Sequence, residues 1–289
     1  MLHRYIDVDG TRIFYREAVP VGGAHDSPVL LLLHGFPTAS HQYRRLMDAI
    51  GGTFRIIAPD YPGFGHSDAP LSTSDGGHFT YRFERLADVM ERLLENLALT
   101  RFAMYVFDFG GPVGFRLAVR HPEWISGLII QNANSYSKGL SSAARDFIAI
   151  RVDDDGAQAR VREMLTLEAT RGQYLTGTLD AELVCPDDWT LDQHFLDLPG
   201  RDQPQLDLAF DYHTNIEQYP AWQSWFRGNT PPTLIVWGRH DPFFVEAGAW
   251  AYRSDLPDAE VHLLDTGHFA LQECLPTVAA LAKDFLNRI

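Results

Sequence analysis

At 289 residues the chain is long enough for one large hydrophobic core, or a core with a smaller insertion. Hydrophobic residues make up 45% and charged residues 21%, as in a globular enzyme, and the formal net charge of −14 argues against nucleic acid or an anionic membrane as the main partner. Cys185 and Cys274 are too few for a disulfide framework, the segment Met1–Asp7 lacks the apolar core of a signal peptide, and no stretch approaches a membrane span, so a cytoplasmic protein is expected.

In chain order, Tyr5 to Val8 and Arg12 to Tyr15 flank Asp9-Gly10 and read as a β-hairpin. The continuous apolar run at 28–33 and the run at 55–60 read as strands buried on both faces. Residues 83–97 carry Leu86, Val89, Met90, Leu93 and Leu97 at helical spacing. Strand, helix and strand follow at 102–107, 112–119 and 125–131. From about 135 to 226 the sequence is helix-like, polar and rich in aromatic residues, with no strand–helix alternation. The alternation resumes at 233–238 and continues through 244–252 and 261–264 to a last helix at 275–287. The pattern predicts an α/β fold with a mostly parallel sheet, formed by residues 1–134 and 228–289, and a helical cap at 135–227 over the strand ends.

Chemistry concentrates at Tyr105-Val106-Phe107-Asp108-Phe109-Gly110-Gly111-Pro112, where an apolar strand ends on a lone carboxylate and glycines open a helix. That is the shape of a nucleophile elbow with aspartate in the place of serine. A carboxylate is already ionised at neutral pH, and it displaces a leaving group from saturated carbon to give an alkyl-enzyme ester. His34-Gly35-Phe36-Pro37, after the first buried strand, places the Phe36 amide where it and the Phe109 amide are the candidate oxyanion donors. Asp241, in WGRHDPF at 237–243, and His268, in DTGHF at 265–269, each follow a late strand. The order nucleophile, acid, histidine assigns His268 as general base for water and Asp241 as the group that orients its imidazole.

Taken together, LLLHGFP at 31–37, APDYPGFGHSD at 58–68, DFGG at 108–111, WGRHDPF and DTGHFALQE at 265–273 resemble the α/β-hydrolase fold, in the branch holding epoxide hydrolases and haloalkane dehalogenases. The resemblance covers both ends of the chain and much less of 135–227. It implies an eight-stranded, mostly parallel sheet with the cap inserted after strand 6. It also implies ester formation at Asp108, followed by hydrolysis with water activated by His268.

An epoxide needs an acid for its alkoxide, which in similar epoxide hydrolases is a pair of cap tyrosines. Tyr212 is the leading candidate here and Tyr174 its partner, with Tyr136 behind and Tyr219 read as packing. A departing halide needs N–H donors, usually including a tryptophan after the nucleophile. Phe109 has no such donor, and Phe36 stands where many dehalogenases carry asparagine or glutamate. Phe109 departs from the epoxide hydrolase pattern too, and Trp189, Trp222 and Trp225 are alternative halide donors. The expectation is an epoxide hydrolase acting on a small apolar substrate, with haloalkane dehalogenase as the alternative. An esterase or lactonase, and a non-catalytic ligand-binding member of the fold, rank below both. No phosphate loop or metal-ligand spacing is present, so no cofactor and no metal are expected. Substrate size and oligomeric state are not encoded in these motifs.

Overall fold

The computed structural model describes residues 1–20, 22 and 28–289. Its strands in chain order are β1 (Leu2–Val8), β2 (Thr11–Ala18), β3 (Val29–Leu33), β4 (Arg55–Pro59), β5 (Phe102–Phe107), β6 (Ile125–Gln131), β7 (Thr233–Gly238) and β8 (Glu260–Leu264). They form one eight-stranded sheet in the order β1-β2-β4-β3-β5-β6-β7-β8. β1 pairs antiparallel with β2, and β2 with β4; the remaining pairs are parallel. The hairpin is longer than its apolar residues indicate, because the edge strand β1 is mostly exposed and its polar residues carry no periodicity.

The two central strands, β3 and β5, are apolar at every position because both faces are covered. Along β3, Leu31 and Leu33 join one cluster with Met104, Val106, Leu128 and Ile130, while Leu30 and Leu32 join the other with Ala103, Tyr105, Phe107 and Ile129. This is the two-residue period of a strand expressed as two cores. The first core is closed by α2 (Phe83–Asn96), α3 (Gly110–Arg120) and α10 (Glu246–Ala251). The second is closed by α1 (Arg44–Ile50), α11 (Ala270–Glu273) and α12 (Leu275–Leu286). Helix α2 shows the cause clearly. Leu86, Val89, Met90 and Leu93 lie on one stripe and are buried, and its other face carries the charged residues.

Between β6 and β7 run α4 (Ser142–Ile148), α5 (Ala157–Arg162), α6 (Leu167–Leu175), α7 (Pro186–Leu196), α8 (Asp202–Asp211) and α9 (His213–Asn229). Parallel strands need a crossover, and α9 is the one for β6 and β7: it packs on α3 and returns the chain to the start of β7. Of the preceding helices, α7 is clamped to the start of α1 by buried polar pairs. Arg44 meets Asp188 at 2.6 Å and His41 meets Asp192 at 2.8 Å, with both carboxylates fully buried. Among the described residues, no helix is long and apolar enough to cross a membrane.

Candidate active site

The site is built where adjacent strands end. Asp108 follows β5, Gly35 and Phe36 follow β3, Asn132 follows β6, Asp241 follows β7 and His268 follows β8. All five strands are parallel, so their C-terminal ends share one edge of the sheet, where open α/β sheets gather ligand-binding groups.

Asp108 has φ of 48°, the left-handed region that non-glycine residues rarely occupy. The bend lifts its side chain off the strand line, and α3 begins two residues later at Gly110. Two neighbouring glycines make room for it. A Cβ on Gly35 would overlap the Asp108 side chain, and one on Gly110 would overlap the Leu33 carbonyl oxygen. With Gly35 bare, the Phe36 amide donates to Asp108 Oδ1 at 2.7 Å. Burial raises the Asp108 pKa above the ordinary carboxylate value. His268 and the amides of Phe36 and Phe109 oppose that rise.

His268 Nε2 lies 3.8 Å from Asp108 Oδ2, and its Nδ1 lies 2.6 Å from Asp241 Oδ2. Burial lowers the imidazole pKa, but the Asp241 charge and hydrogen bond, with Asp108, outweigh it and the net shift is upward. Asp241 is itself fixed. Its Oδ1 accepts from the amides of Phe243 and Phe244 at 2.7 and 3.0 Å, and its Oδ2 from Asn132 Nδ2 at 2.7 Å. The sequence reading missed Asn132. Its own Oδ1 accepts from the Gly238 amide, so one side chain ties β6 to β7 and holds the carboxylate. The signal available was an asparagine at a strand end, a residue that tolerates the left-handed backbone found there, φ 41°. His34 is structural. Its Nε2 accepts from the Tyr61 amide, so Nδ1 carries the proton donated to the Gly35 carbonyl, and burial lowers its pKa to about 4.

Above these groups lies a cavity of about 250 Å³, floored by Phe36, Asp108, Phe109, Phe243, Phe244 and His268. Its roof is apolar residues of α4, α5 and the turn after α5, interrupted by Gln173, Gln205 and Tyr212. Tyr212 lies at the junction of α8 and α9, packed on Phe83 and Phe109 with ring centroids 5.5 and 5.9 Å away. Burial raises its pKa well above the ordinary phenol value, so the hydroxyl stays protonated.

Tyr174 corrects the sequence expectation. Its hydroxyl donates to Asp192 at 2.5 Å and its ring stacks on Phe269 with centroids 3.7 Å apart, so it is turned away from the cavity, and its neighbour Gln173 faces the cavity instead. Helix α6 is buried on both sides here, and composition gives no rule for which of two adjacent residues points inward. Tyr136 donates to Asp255, and Tyr219 accepts from Asn134. None of Trp189, Trp222 and Trp225 lines the cavity; Trp189 packs on Tyr174, and Trp222 and Trp225 sit in the α3–α9 core. Among the described residues no cluster of His, Cys, Asp or Glu has the arrangement of a metal site.

The arrangement provides a carboxylate held by a backbone amide, a paired imidazole, and a protonated phenol on one apolar-lined cavity. Comparison with known proteins agrees with this architecture. The model of the alpha/beta hydrolase fold family matches residues 28–273. A Saccharomyces cerevisiae protein described as an uncharacterized hydrolase is 38% identical over 290 residues, covering 99% of this chain and 96% of that protein. Epoxide hydrolase 3 of Xenopus tropicalis is 33% identical, covering 99% of this chain and 78% of the frog protein. Among solved structures, haloalkane dehalogenase DbeA of Bradyrhizobium elkani superposes with a TM-score of 0.77 at 23% identity, covering 99% of this chain and 98% of the other, a likeness of fold alone.

Proposed function

The chain belongs to the α/β-hydrolase family, and from that premise we propose that it is an epoxide hydrolase with Asp108 as nucleophile and residues 135–227 as its cap. The observation that carries the reading is the Asp108 carboxylate. It sits on a left-handed turn, bound by the Phe36 amide and facing His268, with the Tyr212 hydroxyl on the same cavity.

In the first step an Asp108 oxygen attacks an epoxide carbon. The carbon–oxygen bond breaks, its electron pair goes to the departing oxygen, and that oxygen takes the Tyr212 proton. An alkoxide is a far stronger base than a phenolate, so even a phenol weakened by burial gives the proton up. In the second step His268 takes a proton from water, and the hydroxide adds to the ester carbonyl. The amides of Phe36 and Phe109 face the developing oxyanion; one such donor contributes roughly 10²–10³ in rate. Collapse releases the diol and the Asp108 carboxylate, and the proton on His268 returns to Tyr212 through solvent. The products are one diol per epoxide and water consumed. Asp241 holds the imidazole with Nδ1 as donor, leaving Nε2 to face water. The haloalkane reading is disfavoured by the cavity's lack of an indole N–H among its described lining residues.

The test is to follow ester formation directly. Asp108→Ala is expected to abolish diol formation while the protein stays folded. His268→Gln is expected to form ester and not release it, seen as an intact mass increased by that of the epoxide. Diol formation by Asp108→Ala near the wild-type rate removes the nucleophile assignment, and bromide release from bromoalkanes without epoxide turnover removes the substrate assignment.

A further inference from the structure

The loops of the base and the acid are packed from outside by a stretch of the cap, residues 174–180, none of which is among the described residues lining the cavity. Tyr174, near the end of α6, stacks on Phe269, the residue after His268. In the turn that follows, the Thr176 carbonyl oxygen lies so close to Gly267, the residue before His268, that a Cβ there would overlap it. Gly177, at φ 84°, sits in the same way against the carbonyl oxygen of His240, the residue before Asp241. One cap turn thus touches the chain neighbours of both the base and the acid. It meets them where they meet each other, since the His240 amide donates to the Thr266 carbonyl at 3.1 Å.

The turn is tied down by Glu273, the last residue of α11. Its Oε1 accepts from the amides of Leu179 and Asp180 at 3.0 and 2.7 Å. Bonds to a charged acceptor are short and directional, so they fix where the turn lies. Both amides are exposed, and water would satisfy them if the carboxylate were removed, so the bonds add little to folding stability. The charges acting on His268 are those of Asp241 and Asp108, so Glu273 bears on the imidazole through position and not through its field.

Building on the reading of Asp108 as nucleophile and His268 as base, we propose that Glu273 is a positioning residue for the water step. It pins the turn after α6 against Gly267, Phe269 and His240, and the pinned turn keeps the His268 imidazole in place beside Asp108. Asp108 and Tyr212 are held by other elements, the bend into α3 and the junction of α8 and α9. The turn therefore serves ester hydrolysis and not ring opening. A carboxylate that touches neither substrate nor imidazole sets how fast the ester is released.

The experiment times ester formation and ester release separately, by rapid-quench intact mass with an aryl epoxide, in Glu273→Ala, Glu273→Gln and Gly177→Ala. In Glu273→Ala, release is expected to fall by about 10- to 100-fold, the loss that follows a displacement of about an ångström at a catalytic group. Formation is expected to hold, so the ester accumulates, and the thermal midpoint is expected to stay near that of the wild type. Glu273→Gln keeps an oxygen that accepts from both amides and is expected to restore release. Gly177→Ala pushes the turn off His240 with Glu273 intact, and is expected to show the same slowed release. Unchanged release in Glu273→Ala or in Gly177→Ala overturns the proposal, and so does equal slowing of both steps. Glutamine no better than alanine at 273 overturns it too, as does a Glu273→Ala protein that fails to fold, which assigns the residue to stability. If His268→Gln forms no ester from the epoxide, the epoxide reading falls and this inference with it. If that ester forms and the two steps do not separate in Glu273→Ala, this inference alone falls.

Discussion

The two titrating residues at the nucleophile are shifted the same way but act in different steps. Burial raises Asp108, which under the proposed mechanism must be ionised to attack, so ester formation is expected to fail as pH drops through a value above the ordinary carboxylate pKa. His268 must be neutral to take a proton from water. Despite burial, Asp241 and Asp108 hold its pKa above the ordinary 6.5, so under the proposed mechanism the water step is also lost as pH drops. Ester formation removes the Asp108 charge and with it one of the groups that raise His268, so the imidazole titrates lower in the intermediate than in the free enzyme. The expected outcome is that acidic buffer slows both ester formation and ester hydrolysis. Rapid-quench intact mass measures the two steps separately, and a step that keeps its rate in acid would contradict the assignment. At this scale the sequence exposed residues whose local context is distinctive: Asp108 by its glycines, Asp241 and His268 by their loops, Phe36 by its motif. It left Asn132 and Gln173 unmarked, because a side chain defined by what it meets across the fold has no local pattern.

Helix α9 does two jobs that the sequence pattern did not separate. Its 17 residues, about 25 Å at 1.5 Å per residue, return the chain to β7, and the residue that caps its N-terminus, Tyr212, lines the cavity. The lock between α9 and the sheet is Arg116 on α3, which is buried. It donates to Asn215 Oδ1 at 2.7 Å and to the Pro112 carbonyl at 3.0 Å, and pairs with Glu84 on α2 at 2.9 Å. Arg116→Met keeps much of the volume but strips charged hydrogen bonds worth about 1.5–3 kcal/mol each at most. It leaves Asn215 Oδ1 buried and unpaired. A loss of about 2–4 kcal/mol is expected in urea unfolding, with a slower ring-opening step because Tyr212 is held less firmly. An unchanged midpoint would mean that α9 is fixed by its apolar contacts alone. The strands of the sheet were legible because burial on both faces leaves unbroken apolar runs. The helices between β6 and β7 were legible only as a helical stretch. The face of α7, for one, is set by a polar clamp, Arg44 with Asp188 and His41 with Asp192, whose partners are far apart in sequence.

For the whole molecule, charge and chemistry are kept apart. The net charge is −14, yet the cavity is lined by apolar side chains, and the ionisable groups at its floor are paired with each other. A neutral substrate feels little of the surrounding field, so kcat/KM for an uncharged epoxide is expected to be nearly constant between about 0.05 and about 0.5 M salt. A steep dependence, read from initial rates at fixed pH, would point to an ionic substrate. The molecule also divides its duties by how firmly each part is held. Tyr212 rides on the crossover helix, locked to the sheet through Arg116, whereas Ala143, Phe147, Ile148 and Val161 belong to the short helices α4 and α5. Natural variation in those two roof helices can therefore resize the chamber while Tyr212, Asp108 and His268 stay in register, giving a lineage freedom to change its diet without relearning the chemistry proposed for them.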